Sequence, residues 1–403
     1  MFVVPYLTFG LVRAGGGEKA LSVVDASEEV NDSRPSNVII GPNGQILHDK
    51  YGFYLTDSFQ KMLGKSPEEV GQRNAKEQER TTKWLRMLKN WDFVCKYRKA
   101  KLKRRIRKGI PNIVRAWAWF HISGAQLYKD KYPDVSKLDV AGIPAKVKED
   151  IEKDVDRTFP KHLQFADSDG HGQASLRRLL LWYAAIDSEV GYCQGMGFIA
   201  GLLLTYMEEQ EAFYCFAAAL LNPNPTPLRD IYLPDLGDAK RKLYVFGELG
   251  RQHLGALWIH LEDQKMHPTM YATEWLMTMF CRGFSFDLVT RVWDIYLVEG
   301  FKIVYRVALA LLKVRPEHLI PLTQLNSRSD CVLSLHPPAF IQTVEPALLK
   351  AEFEDIMSII NAIPEAIDPE DIMALSWSLP LRRSDIVKHE KSYALQQGLR
   401  INF

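Results

Sequence analysis

Two side chains stand where their types and neighbours could act on a phosphoryl group: Arg157 and Gln194. Arg157 falls near the end of Ile151-Glu152-Lys153-Asp154-Val155-Asp156-Arg157-Thr158-Phe159-Pro160. Asp154 precedes it by three residues, and on a helix side chains so spaced meet side to side. Phe159 can anchor the end of that helix in a core, and Pro160 is expected to stop it just beyond the arginine. Gln194 sits in Gly191-Tyr192-Cys193-Gln194-Gly195-Met196-Gly197. Glycines there let the backbone take positive φ or come close to another surface. Taken singly, each stretch has an ordinary reading. An isolated D-x-x-R is a surface ion pair worth ~0.3–0.5 kcal/mol, and the glycine-framed amide is a helix–helix turn with a buried Tyr192. Taken together, they supply what GTP hydrolysis needs. A guanidinium can neutralise charge growing on the γ-phosphoryl oxygens, and an amide can orient the attacking water because it both donates and accepts.

The elements that must hold these two groups are helical. Ile143-Pro144 starts a segment with Ile151, Val155 and Phe159 at helical spacing. Gln173 to Ser188 carries Leu176, Leu179, Leu180, Tyr183 and Ile186 as a broad core-facing stripe. Phe198 to Leu221 is apolar on most sides and reads as one buried helix. Upstream, Ile110-Pro111 starts a helix that sets Arg115 and Trp119 on one face. Earlier still, Ser66-Pro67-Glu68-Glu69 has capping-box order, and Trp84, Leu88 and Trp91 give the following helix an apolar edge.

Asn222-Pro223-Asn224-Pro225-Thr226-Pro227 breaks the chain and marks a boundary between two lobes. Beyond it, Leu243, Phe246, Gly250, Leu254, Leu257 and Leu261 are expected on one helix. Ser285 caps another that stops at Gly300, and Phe301 to Val314 forms a third. Shorter amphipathic pieces come between Pro321 and Pro380. Near the N-terminus, apolar runs around Gly41-Pro42-Asn43-Gly44 could close a small hairpin. The pattern is that of an all-α, two-lobed domain.

Several functions are excluded. The net charge of +2 over 403 residues gives no global field for nucleic acid or membrane. Cys95, Cys193, Cys215, Cys281 and Cys331 are scattered and odd in number, which fits reduced thiols and gives no zinc or disulfide framework. The chain holds no G-x-x-x-x-G-K-[ST], H-E-x-x-H or G-x-S-x-G motif. Asp167-Ser168-Asp169-Gly170-His171-Gly172 resembles a calcium loop only faintly, because Arg178 stands where a bidentate carboxylate is needed. Lys96 to Lys108 is strongly basic, yet lacks aromatic interleaving or a recognition-helix pattern. It reads as a solvated helix face, with docking on an acidic partner left open.

The sequence closely resembles the TBC (Tre-2/Bub2/Cdc16) family of GTPase-activating proteins for Rab GTPases. Three motifs match in order: Arg107-Lys108-Gly109-Ile110-Pro111 with Arg115 and Trp119; Ile151-x-x-Asp154-x-x-Arg157 running into Thr158-Phe159-Pro160; and Tyr192-Cys193-Gln194-Gly195. Arg291-Val292-Trp293-Asp294 with Glu299-Gly300 resembles the family's C-terminal lobe signature.

The resemblance implies a V-shaped helical fold in which Arg157 is an arginine finger and Gln194 a glutamine finger, both supplied in trans. It implies that Asp154 holds Arg157, that Tyr192 and Gly195 support the glutamine loop, and that Gly109, Pro111, Arg115 and Trp119 are structural. GTP and Mg²⁺ would come with a Rab-family GTPase, with no cofactor or metal held by this chain and no nucleic-acid partner. The expected location is cytoplasmic, with peripheral endomembrane association through partners. The alternative is a non-catalytic GTPase-binding or trafficking scaffold of the same fold. Residues 1–50 are expected as a flexible leader, 51–104 as a charged helical lead-in, 105–380 as the domain (core 105–315) and 381–403 as a tail.

Overall fold

The computed structural model describes residues 39–40, 46–54, 67–168, 170–223, 227–314 and 344–398. Most of the leader and the stretch 315–343 therefore lie outside the described residues, as do Ser66 of the capping box and the hairpin turn itself. The strands flanking that turn, β1 (Ile39–Ile40) and β2 (Ile46–His48), pair antiparallel. From Pro67 onward the described elements are helices. The lead-in forms α1 (Pro67–Leu88), α2 (Trp91–Tyr97) and α3 (Lys99–Arg107). The first lobe holds α4 (Asn112–Ser123), α5 (Ala125–Lys131), α6 (Ala145–Val155), α7 (His171–Ile186), α8 (Met196–Leu204) and α9 (Glu209–Leu221). The second holds α10 (Gly237–Leu254), α11 (Ala256–Asp263), α12 (Ala272–Met277), α13 (Phe286–Glu299) and α14 (Lys302–Leu312). Then come α15 (Val344–Leu348), α16 (Phe353–Ala366), α17 (Pro369–Ser378) and α18 (Arg383–Gln396).

Each lobe is built around a helix too apolar to face water. Every residue of α8 is buried in the first lobe, and all of α14 except Lys302 is buried in the second. One buried cluster runs through both. A helix that is hydrophobic on all sides must be wrapped by others, so α7, α9 and α6 surround α8.

Three expected elements differ. The helix predicted from Phe198 to Leu221 is two helices, because Glu208, Glu209 and Gln210 cannot continue inside a dry core. Glu209 instead reaches Arg178 at the surface, at 2.6 Å. The helix predicted through Leu243 and Leu261 breaks at Gly255, which has φ +50°. Leucine spacing ran on across the break because α10 and α11 both face the same core. The tail is a helix as far as Gln396, packed on α10 through Tyr393 against Tyr244.

The leader boundary at residue 50 falls inside a docked segment. Lys50 lies 2.5 Å from Asp287, and the Tyr51 hydroxyl donates to that carboxylate at 2.7 Å. Phe53 packs edge-on against Phe159 and Phe286. In the lead-in, Trp84, Met87, Val94, Leu102 and Ile106 are buried in the main cluster, so it belongs to the same core.

Candidate functional site

Arg157 is held by a turn rather than by the last turn of a helix. The α6 helix ends at Val155, earlier than Pro160 predicts, and Phe159 adopts φ +50°. A bulky residue in the left-handed region costs of order 1–3 kcal/mol. Burial of the Phe159 ring among Phe53, Phe165, Phe198 and Phe286 offsets that cost. The anchor role expected of Phe159 therefore stands, while its helical spacing does not. The Thr158 hydroxyl donates to the Asp154 carbonyl at 2.7 Å, closing the α6 end. Beyond the turn, the His162 backbone N–H donates to the Phe159 carbonyl at 2.9 Å.

Gln194 lies at the exposed tip of the α7–α8 connection. That connection is braced at its start by Asp187, which accepts from the Tyr183 hydroxyl at 2.8 Å and from Arg229 at 2.8 and 2.9 Å. It is braced at its end by Gly195, whose φ of +104° suits glycine. Gly197 answers a different need. A Cβ there would come 2.9 Å from the Thr158 hydroxyl and 3.4 Å from the Tyr192 hydroxyl. The glycine thus lets the start of α8 lie directly against the Arg157 turn.

One carboxylate joins the two stretches. Asp154 is 1% exposed at its side chain. Its Oδ1 accepts from the Arg157 guanidinium. Its Oδ2 accepts from the Tyr192 hydroxyl and, at 3.2 Å, from the Gly195 N–H. Burial, and then the negative charge of Asp154, push the Tyr192 phenol well above its usual range, so it remains a donor. The same two influences raise the Cys193 thiol, which keeps it from being a nucleophile. Arg157 itself is 48% exposed at its side chain. A buried anchor therefore presents one guanidinium and one amide loop on the same surface.

The residues of the first motif lie elsewhere. The Arg115 Nε and the Trp119 indole N–H both donate to Asp294 Oδ1, at 3.2 and 2.8 Å. The Ile110 N–H donates to Asp294 Oδ2 at 2.8 Å. Pro111 precedes α4 as its N-cap, and Gly109, at φ +98°, passes under Arg291, where a Cβ would come 3.1 Å from the guanidinium Nε. Burial alone would depress the Arg115 guanidinium, but the charge of Asp294 outweighs it and keeps the group ionised. The first motif and the C-terminal lobe signature thus form a single knot between α4 and α13.

Sequence reading missed Asp187 with Arg229, and His162. These contacts join residues far apart in the chain, and no local pattern signals them. Among the described residues, no group of three or more His, Cys, Asp or Glu is placed to hold a metal ion. Nor is any helix there long and apolar enough to cross a membrane.

A family profile for the Rab-GTPase-TBC domain matches residues 112–320. Among curated proteins, TBC1 domain family member 10B of Mus musculus is 36% identical over 280 residues, covering 67% of this chain and 33% of that protein. The Homo sapiens ecotropic viral integration site 5 protein homolog is 35% identical over 241 residues, 59% of this chain and 29% of its own length. The chain thus spans about a third of the length of these two relatives. TBC1 domain family member whacked of Drosophila melanogaster is 31% identical over 308 residues, 76% of this chain and 80% of that one. Among solved structures, the Chlamydomonas flagellar RabGAP TBC domain superposes with a TM-score of 0.57 at 25% identity, covering 82% of this chain and 98% of that one. The Ypt/Rab-GAP domain of Gyp1p, at 18% identity and a TM-score of 0.52 over 73% of this chain and 93% of its own, shares the fold.

Proposed function

Because this chain belongs to the Rab-GTPase-TBC domain family, we propose that it accelerates hydrolysis of GTP held by a Rab-type GTPase. Arg157 neutralises charge developing on the γ-phosphoryl oxygens, and Gln194 orients the attacking water. The nucleotide and its Mg²⁺ arrive with the partner, so the chain needs no cofactor of its own. It works in the cytoplasm, and at endomembranes where the partner sits.

The observation that carries this reading is the Asp154 carboxylate, with one oxygen on the Arg157 guanidinium and the other on the glutamine loop. A surface ion pair has no need of that second tie. By holding both stretches, the carboxylate fixes the distance between the two presented groups. Catalysis by positioned charge depends on such preorganisation.

The test is a single-turnover phosphate-release assay against a panel of GTP-loaded Rabs, with Arg157→Ala and Gln194→Ala alongside. Binding without accelerated release by the unaltered chain would favour a GTPase-binding scaffold instead. Undiminished acceleration by Arg157→Ala would remove the arginine from the mechanism.

A further inference from the structure

The turn that carries Arg157 is held from both sides, and the Asp154 carboxylate is only one of the two holds. The other is a strap of chain, residues 49–54. Its Tyr51 lies 111 residues before His162 in the chain, and the strap falls outside the stretch 112–320 that the family profile matches.

The strap is first closed on itself. Asp49 accepts from the Tyr51 and Phe53 N–H groups at 2.8 and 3.0 Å, and its own N–H donates to the Phe53 carbonyl at 2.9 Å. Gly52 sits at φ +96°, and a Cβ there would come 2.9 Å from His162 Nε2. A glycine thus lets the strap lie directly on the chain that leaves the Arg157 turn. The Leu163 N–H donates to the Gly52 carbonyl at 2.8 Å, and the Tyr54 N–H to the Lys161 carbonyl at 2.9 Å. Between these bonds, Phe53 sets its ring edge-on among Phe159, His162 and Phe286. Phe159 is the residue whose left-handed backbone shapes the turn. The strap therefore supplies part of the packing that keeps a strained conformation in place.

The other edge of the strap is fastened to the second lobe. Lys50 and the Tyr51 hydroxyl both reach Asp287, in the first turn of α13. Burial, and then the charge of Asp287, hold the Tyr51 phenol well above its usual range, so it stays a donor. Asp154 ties Arg157 to the glutamine loop within the first lobe, and the strap ties the same turn to the second.

We propose that residues 49–54 position Arg157 for the reaction, with Phe53 and Tyr51 as positioning residues that act through the turn and not on the nucleotide. The inference rests on the reading of Arg157 as the group that meets the γ-phosphoryl oxygens, and adds what keeps it aimed. A guanidinium on a loose turn points in many directions, and misplacement by ~1 Å costs on the order of a hundredfold in rate. Loosening the strap should therefore slow the chemical step and leave the encounter with the partner intact.

The experiment uses the full chain with Phe53→Ala, Phe53→Leu and Tyr51→Phe. Hydrogen exchange in the free protein is read over residues 157–165 and, as a control, over 191–197. Single-turnover hydrolysis at saturating GTP-loaded Rab and the affinity for that Rab are measured on the same proteins. Phe53→Ala is expected to speed exchange over 157–165 only, and to lower the rate about ten- to a hundredfold with affinity unchanged. Phe53→Leu, which keeps an apolar side chain against Phe159, should recover most of the rate. Tyr51→Phe keeps its ring against Phe286 and loses only the bond to Asp287. It should lower the rate by a smaller factor, and it carries the test where Phe53→Ala does not fold. A full rate in these variants overturns the proposal. So does a rate loss matched by equal losses of Rab affinity and melting temperature, the mark of a strap needed only for folding. Arg157→Ala, run alongside, keeps the two readings apart. Full hydrolysis by Arg157→Ala removes the arginine reading and this one with it. Lost hydrolysis by Arg157→Ala beside a full rate in the strap variants removes the strap alone.

Discussion

Asp154 and Asp294 are almost the same object used for opposite ends. Each is a buried carboxylate that accepts from an arginine, from an aromatic side chain and from one backbone N–H. They differ in where the arginine ends. Arg115 is enclosed, with a side chain 5% exposed, and all that it does is spent inside the protein. Arg157 is 48% exposed, so only its inner edge is bound and its outer edge is left for something that arrives. The same carboxylate chemistry thus closes an interface between lobes in one place and aims a cation at solvent in the other. What decides between structure and presentation is the element that carries the arginine. Arg115 sits inside α4, whereas Arg157 rides on a turn pinned by Phe159.

Substitution of the two arginines should break this symmetry most visibly. Arg157→Ala is expected to lower stimulated GTP hydrolysis by about 10³–10⁵, roughly 4–7 kcal/mol of barrier, at a smaller cost in stability than Arg115→Met, because removing a half-exposed side chain lets water reach the Asp154 carboxylate. Arg157→Lys should fare little better, because a point charge does not reproduce the planar fork. Single-turnover kinetics with parallel calorimetry separates the two quantities. Unimpaired hydrolysis would show that the exposed edge is not used.

Arg115→Met should do the reverse. It leaves Asp294 buried without its cation, a loss expected to cost about 3–5 kcal/mol of stability. Denaturant unfolding measures this directly. Adding Asp294→Leu in the same chain should recover part of the loss, since a buried pair replaced as a unit costs less than a broken one. A double variant no more stable than Arg115→Met would argue that the Ile110 and Trp119 donors, not the ion pair, dominate the knot.

Acid should loosen the Arg157 side through His162. His162 is buried, its Nε2 bonded to the Tyr51 carbonyl at 2.6 Å and its Nδ1 to the Gln164 N–H at 3.1 Å. Since the backbone N–H donates to Nδ1, the proton sits on Nε2 and the ring is neutral. Burial lowers its pKa from 6.5 to about 4. Between those values the unfolded chain binds more protons than the folded one. Stability contributed by this residue is therefore full above 6.5 and is lost as pH falls toward 4, by up to about 3 kcal/mol. His162→Gln should flatten the urea midpoint across that window. An unaltered pH slope would place the acid sensitivity elsewhere.

How much of this was legible in the sequence obeys the same division. The helices were readable because a 3.6-residue stripe reports burial directly, and α7 and α14 came out within a few residues. The breaks were not, since leucine spacing persists across Gly255 and apolar character persists up to Thr205. Asp154 with Arg157 could be paired because they lie within one helical turn. The link to Tyr192 and Gly195 was not legible, because the resemblance gives Asp154 and the glutamine loop separate roles and nothing local ties residue 154 to that loop. The partnership of Arg115 with Asp294 spans the two lobes, and spacing alone is blind to it. The glycines illustrate the limit well. Their sequence says only that the backbone can come close to another surface; at Gly197 that surface belongs to the chain itself, Thr158 and Tyr192.

The smallest effect is the one that asks how tightly the two presented groups are coupled. In Tyr192→Phe, Asp154 Oδ2 keeps the Gly195 N–H but loses the phenol, one hydrogen bond to a charged group, worth about 1.5–3 kcal/mol. If the hydroxyl were only packing polarity, that loss would appear in the unfolding free energy and nowhere else. Acting as a tie between the stretches, it should also release the glutamine loop. The rate constant for hydrolysis at saturating Rab should then fall about tenfold while the Rab affinity holds. Tyr192→Phe combined with Gln194→Ala distinguishes the two cases, because a tyrosine that works by placing Gln194 has nothing further to contribute once the amide is gone. Effects that multiply in the double variant would mean that Tyr192 supports Arg157 instead. The shared carboxylate would then serve catalysis through the arginine alone.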